Sequence, residues 1–180
     1  GVERMSEYWA KLMSKTEHET VRAAATQVAD DDAVTGPIRD ILQQVADRLE
    51  ARYHADPAKL LAQQRWFLSL WFVRFYTDSD GLAWVAENAS AAIPDALDAC
   101  QSLALTKTHR LLKKVVDTCG GAERMRDDEA MQELWEADDG ALSEKFEKYD
   151  DSFFDLQSTE SLILAQLRII AESPTAFVDA

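Results

Sequence analysis

Apolar residues recur at steps of three and four along most of the chain without sustained alternation, and that period predicts helices from end to end. In a first segment of about Val2 to Val34, Met5, Tyr8, Trp9, Leu12 and Met13 begin the pattern, and an Ala-rich stretch carries it through Val28, before an acidic turn at Asp30, Asp31 and Asp32. Ile38, Ile41, Leu42, Val45, Leu49 and Tyr53 form one stripe behind Pro37, a residue suited to a first helical position. Asp56 and Pro57 repeat that start signal, which predicts a second helix from there. Between Trp66 and Tyr76 only Ser69 and Arg74 are strongly polar, so this helix is expected at the centre of the core. Thr77 to Gly81 break the pattern and predict a turn, followed by short segments around Leu82 to Asn88 and Ile93 to Cys100. Leu105, Thr108, Leu112, Val115 and Cys119 line the next helix, which Gly120 and Gly121 stop. Met131, Leu134 and Trp135 mark another, Leu142, Phe146, Tyr149, Phe153 and Leu156 the one after, and the last runs from about Ser158 to Glu172.

No segment reads as a strand. With only 6 Gly and 4 Pro in 180 residues, and no fixed-period repeat, the expected fold is all-α: a compact single-domain array of about seven to nine helices. Residues 1–35 are expected to form an N-terminal helical arm and residues 36–180 the main helical domain. No apolar run approaches the roughly 20 residues that span a bilayer, and no basic-then-apolar leader pattern opens the chain, so a cytoplasmic location is expected.

Charge changes the picture more than composition does. The net charge of -14 would repel phosphate backbones and anionic lipid, which argues against direct nucleic-acid or membrane binding. Most of the excess lies in one stretch: Asp127, Asp128, Glu129, Glu133, Glu136, Asp138, Asp139, Glu144, Glu147, Asp150, Asp151 and Asp155 stand against Lys145 and Lys148 alone. Helical neighbours three and four apart lie about 5–6 Å from each other, so Glu129, Glu133 and Glu136 are expected to form a row of negative groups. A solvated face is the ordinary reading of such a row. Imitation of phosphates is the functional one, with Asp127, Asp128, Glu129, Glu133, Glu136, Asp138 and Asp139 as the candidate partner-binding residues.

Other chemistries find little support. His18, His54 and His109 are isolated, so a metal ligand set would have to assemble from distant segments. Cys100 and Cys119 lack metal or redox spacing and are expected to be reduced thiols in or near the core. Asp78, Ser79, Asp80 and Gly81 put Gly fourth where a calcium loop needs it sixth. Phosphate-cradling glycine loops and nucleophile elbows are missing, so neither cofactor nor enzymatic activity is expected. Arg74, on an apolar helix, needs a carboxylate or carbonyl partner, and a structural ion pair is the plain expectation.

The aromatic helix Trp66 to Tyr76, the Asp78 to Trp84 turn, Glu87, Asn88, then Ile93, Pro94, Ala96 and Leu97 resemble one known family. So do Glu147, Tyr149 to Phe154 and the helix Glu160 to Ile170. It is an all-helical domain family of unknown function whose best-known member is a bacterial DNA-mimic protein, an acidic dimer that occupies the DNA-binding surface of a transcription factor. The resemblance covers about residues 60–172; where the family carries an Asn-Gly-Gly-aromatic turn, this chain has Asp80, Gly81, Leu82, Ala83, Trp84. It implies a non-enzymatic protein that offers an acidic face to a basic partner, a DNA-binding protein or transcription factor, and forms a homodimer. Two alternatives stand beside it. One is a small-molecule-binding or catalytic helical domain around Arg74, Asp78 and Asp80; the other is an immunity-like interaction module that uses exposed aromatics such as Trp9 or Trp84.

Overall fold

The computed structural model describes residues 11–178, so the expected roles of Met5, Tyr8 and Trp9 lie outside the described residues. Among these there is no strand, and nine α-helices have seven or more residues, in agreement with the expected all-α class. In chain order the helices are α1 (Lys15–Gln27), α2 (Gly36–Ala55), α3 (Ala62–Asp80), α4 (Leu82–Asn88), α5 (Ala92–Ser102), α6 (Thr106–Thr118), α7 (Ala122–Met125), α8 (Asp128–Glu136), α9 (Ala141–Leu156), α10 (Leu162–Glu172) and α11 (Pro174–Phe177). Two 3-10 turns, Asp31–Ala33 and Pro57–Lys59, flank α2. Ser69–Leu162 make up one compact unit, and the chain on either side of that segment makes up another.

In the flanking unit the ends of the chain are stitched together by side chains reaching backbone carbonyls. His18, buried on α1, donates from Nε2 to Ile170 O at 2.9 Å, and Gln64 Nε2 donates to Ala176 O at 2.7 Å. Phe67 and Phe177 meet edge to face with both rings fully buried. Leu12 and Met13 are buried too, although they precede the first described helix, because Arg48 Nη1 holds the carbonyls of Lys11 and Leu12 at 2.7 and 3.0 Å.

That helix begins after Leu12 and Met13, the described part of its apolar pattern. A reciprocal capping box starts it at Lys15: Glu17 N donates to Ser14 Oγ and Ser14 N to Glu17 Oε1. The start expected at Asp56 and Pro57 is also corrected. Asp56 Oδ1 accepts from Ala58 N, but the turn lasts one round, and the long helix begins only at Ala62.

In the Ser69–Leu162 unit α5 and α9 pack on α6, and α4 packs on α8 and α9. Val85, Ile93, Ala99, Leu112, Val115, Met131, Phe146 and Phe153 are buried between them. Cys100 and Cys119 are buried and free, and burial pushes their thiols up to about 12 and about 11. The turn expected across Thr77 to Gly81 is corrected: α3 continues to Asp80, and the backbone ladder runs on to a bond from Gly81 N to Thr77 O at 3.0 Å, with the Ser79 hydroxyl within reach of the Phe75 and Tyr76 carbonyls. The break waits for Gly81, whose φ of 87° is a conformation that glycine adopts freely. The all-round apolar α3 is also less enclosed than its sequence implies, with Phe75 42% exposed while stacked on Trp71.

Two of the helices here that start without a capping side chain of their own are closed from a distance. Gly81 precedes α4 and Leu105 precedes α6, and neither offers an oxygen. Asp150 on α9 supplies the first, accepting from Leu82 N at 2.7 Å. Glu160 supplies the second, accepting from Lys107 N at 3.0 Å and Thr108 N at 2.7 Å. Both carboxylates come from the acidic second half of the chain, 52 to 68 residues from the amides they satisfy.

Candidate acidic surface

The carboxylates between Asp127 and Asp155 divide by what they touch. Asp127 Oδ1 accepts from Ala130 N and starts α8. Asp138 accepts from Gly140 N at 3.1 Å, Leu142 N at 2.9 Å and Ser143 Oγ at 2.8 Å. These bonds, the Ser143 hydroxyl first, hold its carboxyl below the ordinary range. Asp139 Oδ1 accepts from Ala141 N at 3.2 Å. Three of the seven candidate residues therefore also shape helix starts, leaving fewer free lone pairs for a partner.

The other four face water. Glu129, Glu133 and Glu136 are exposed and lie across the helix from the buried Met131, with Asp128 exposed in the first turn. Gln132 Nε2 donates to Glu136 Oε1 at 2.9 Å, which extends the polar face. Trp135, on the inner side, packs against Phe146 at 5.3 Å between ring centroids and so joins α8 to α9.

On α9 a second row appears. Glu144, Glu147, Asp151 and Asp155 are all exposed and lie across the helix from Phe146 and Phe153, sharing that face with Lys148. Their spacing of three, four and four is visible in the sequence as an acidic counterpart of the apolar stripe. Asp150, within the span of the α9 row, turns inward to α4. Burial raises its carboxyl, the Leu82 N–H opposes this, and the charges of Asp151 and Glu147 raise it further. Among the described residues none of the ion pairs involves any of the twelve carboxylates from Asp127 to Asp155.

The residues behind the other readings have local partners. Arg74, mostly buried, has Asp78 Oδ2 at 4.0 Å and the Trp71 ring at 5.0 Å from its guanidinium carbon, as a structural ion pair requires. Asp80 Oδ2 lies 3.0 Å from Ser79 Oγ, one of the alternative acceptors for that single hydroxyl proton. Trp84 is half-buried and stacks on Tyr76 at 4.4 Å. His54 lies 3.6 Å from Glu50, and among the described residues no group of three or more His, Cys, Asp or Glu is placed to hold a metal ion. Nor is any described helix long and apolar enough to cross a membrane.

No curated protein and no solved structure matches the chain significantly. A family match exists, however, and it runs from the turn before α3 to the last residue of α10, taking in both remote caps and the whole acidic stretch. Over residues 58–172 the sequence fits the DMP19-like protein family, and the chain belongs to that family.

Proposed function

We propose that this protein acts by binding and not by catalysis, presenting the α8 carboxylates, with those of α9 beside them in sequence, to the basic surface of a DNA-binding protein. The observation that carries this reading is the outward row of Glu129, Glu133 and Glu136, exposed and without an ion pair among the described residues. Side chains about 5–6 Å apart along a rigid helix offer a regular line of negative charge, which is what a surface built to grip a phosphate backbone recognises. Membership of a family with a known DNA mimic supports the choice of partner. Asp127, Asp138 and Asp139 belong to the same face chiefly as the groups that fix where α8 and α9 begin. A homodimer, implied by the resemblance, belongs to this reading too.

Immobilised protein should retain basic DNA-binding proteins from cell extract at low salt and release them to duplex DNA as well as to high salt. Glu129→Gln/Glu133→Gln/Glu136→Gln should retain markedly less while keeping its helical circular dichroism, since all three side chains are exposed. Retention of the same proteins by the triple variant, or failure of duplex DNA to displace them, would exclude the α8 row as the binding face.

A further inference from the structure

The aromatic residues at the end of α3 are only partly spent on the core. Within the Ser69–Leu162 unit Phe75 is exposed, and Phe72, Tyr76 and Trp84 are half-buried. Together with Trp71 they form a continuous ladder of rings. Trp71 stacks on Phe75 with centroids 5.5 Å apart, Phe75 meets Tyr76 edge to face at 5.3 Å, and Tyr76 stacks on Phe72 at 5.8 Å and on Trp84 at 4.4 Å. The ladder thus crosses the Gly81 junction from α3 onto α4, and an open aromatic patch of this kind marks a place of contact.

Its border is anionic. An exposed carboxylate stands one helical turn beyond each of three rings: Asp78 after Phe75, Asp80 after Tyr76 and Glu87 after Trp84. Between Trp71 and Asn88 the only cationic side chain is Arg74, and neither Asp80 nor Glu87 forms an ion pair with a described residue. Arg74 shows what such a border accepts. Its guanidinium carbon lies over the Trp71 ring, 5.0 Å from the centroid, while Nη1 is 4.0 Å from Asp78 Oδ2, so the cation sits between a ring and a carboxylate. The same two components recur farther along the ladder, in Phe75 and Trp84 with Asp80 and Glu87. A flat, weakly hydrated guanidinium suits them better than a compact ammonium, because it stacks on rings and offers a fork of donors to a carboxylate. A wholly apolar occupant would bury the carboxylates unpaired at a cost, and an anionic one would be repelled.

We propose that this ladder is a docking site for arginine side chains on an exposed segment of a protein partner, with Phe75 and Trp84 supplying ring surface and Asp80 and Glu87 the opposing charge. The inference does not rest on the α8 row or on the partner proposed for it. A row of exposed carboxylates takes any cation, whereas rings bordered by carboxylates select arginine over lysine.

Titration of the isotope-labelled full chain with a blocked peptide carrying two arginines, followed by amide NMR at about 0.15 M salt, tests it. The peptide should shift the indole N–H signal of Trp84 and the amides of Phe75, Tyr76 and Glu87 saturably, and the same peptide with lysines should bind measurably more weakly. Phe75→Ser, at an exposed position, should weaken arginine binding about two- to fivefold while keeping the helical circular dichroism. Glu87→Gln should weaken it as well, and Glu129→Gln/Glu133→Gln/Glu136→Gln should keep the saturable Trp84 shift. Equal binding of the lysine peptide, unchanged binding by Phe75→Ser, or shifts confined to α8 and α9 overturn the proposal. So does a fall in the sedimentation coefficient of the free protein on Phe75→Ser, which would make a second copy the occupant. Since retention of DNA-binding proteins is read separately, failure here leaves the proposed function standing, and the reverse also holds.

Discussion

At the scale of a single residue, Glu160 does the most. Burial alone would raise its carboxyl, but the N–H groups of Thr108 and Lys107, with the Thr108 hydroxyl and the Lys107 charge, outweigh it and hold the group below its ordinary 4.5. A carboxyl lowered in the folded state stabilises the fold above its unfolded value and loses that contribution as pH falls through the folded one. Glu160→Ala should therefore cost roughly 1–2 kcal/mol at neutral pH, the range for losing a helix cap, and the deficit should shrink as pH falls below about 4.5. Urea midpoints measured from pH 7 down to pH 3 check both the size and the sign. The sequence shows Glu160 only as one carboxylate among 33 acidic residues; nothing local marks it as the cap of a helix 52 residues earlier. Asp127 differs, since an Asp three residues before its amide partner is a readable local signal.

At the scale of elements, the helices are legible because each must bury one face, and burial imposes the three-and-four spacing. Their starts are legible only where the cap lies next door. Asp56 and Pro57 offer the right chemistry, yet the turn they start lasts only one round, because cap residues set where a helix can begin but not whether enough apolar surface follows. The α3 to α4 junction misleads for the opposite reason: Asp78, Ser79 and Asp80 look like turn residues, but the backbone ladder runs on through them to the bond from Gly81 N to Thr77 O. That junction is held by Asp150, and a Cβ at Gly81 would stand 2.9 Å from Asp150 Oδ2. Gly81→Ala should thus destabilise by roughly 1–2 kcal/mol from its positive φ, with displacement of Asp150 adding to the loss. Asp150→Asn keeps an acceptor for Leu82 N. Because the folded protein raises the Asp150 carboxyl above 3.8, its ionisation weighs against the fold as pH rises from 3.8 through the folded value. The Asn variant should lack that slope, matching the wild type near pH 3.8 and exceeding it near neutrality; thermal midpoints at a series of pH values decide this.

For the whole molecule, charge distribution matters more than charge total. The net charge of -14 is concentrated on helices at one stretch of the sequence, so salt should raise stability while it weakens binding of the proposed basic partner. Screening relieves repulsion among the α8 and α9 carboxylates and should raise the thermal midpoint, an effect that Glu129→Gln/Glu133→Gln/Glu136→Gln should visibly reduce. The acidic rows are readable from spacing alone. Which carboxylates turn inward is not, since Asp150 and Asp151 are adjacent and of one kind, and only the packing of α9 on α4 separates them. The same packing has a temporal side. As the polypeptide leaves the ribosome, α4 and α6 emerge with open amide ends and no neighbour able to close them. Their completion waits until Asp150 and Glu160 have been synthesised, so the middle of this protein is made long before it can be finished.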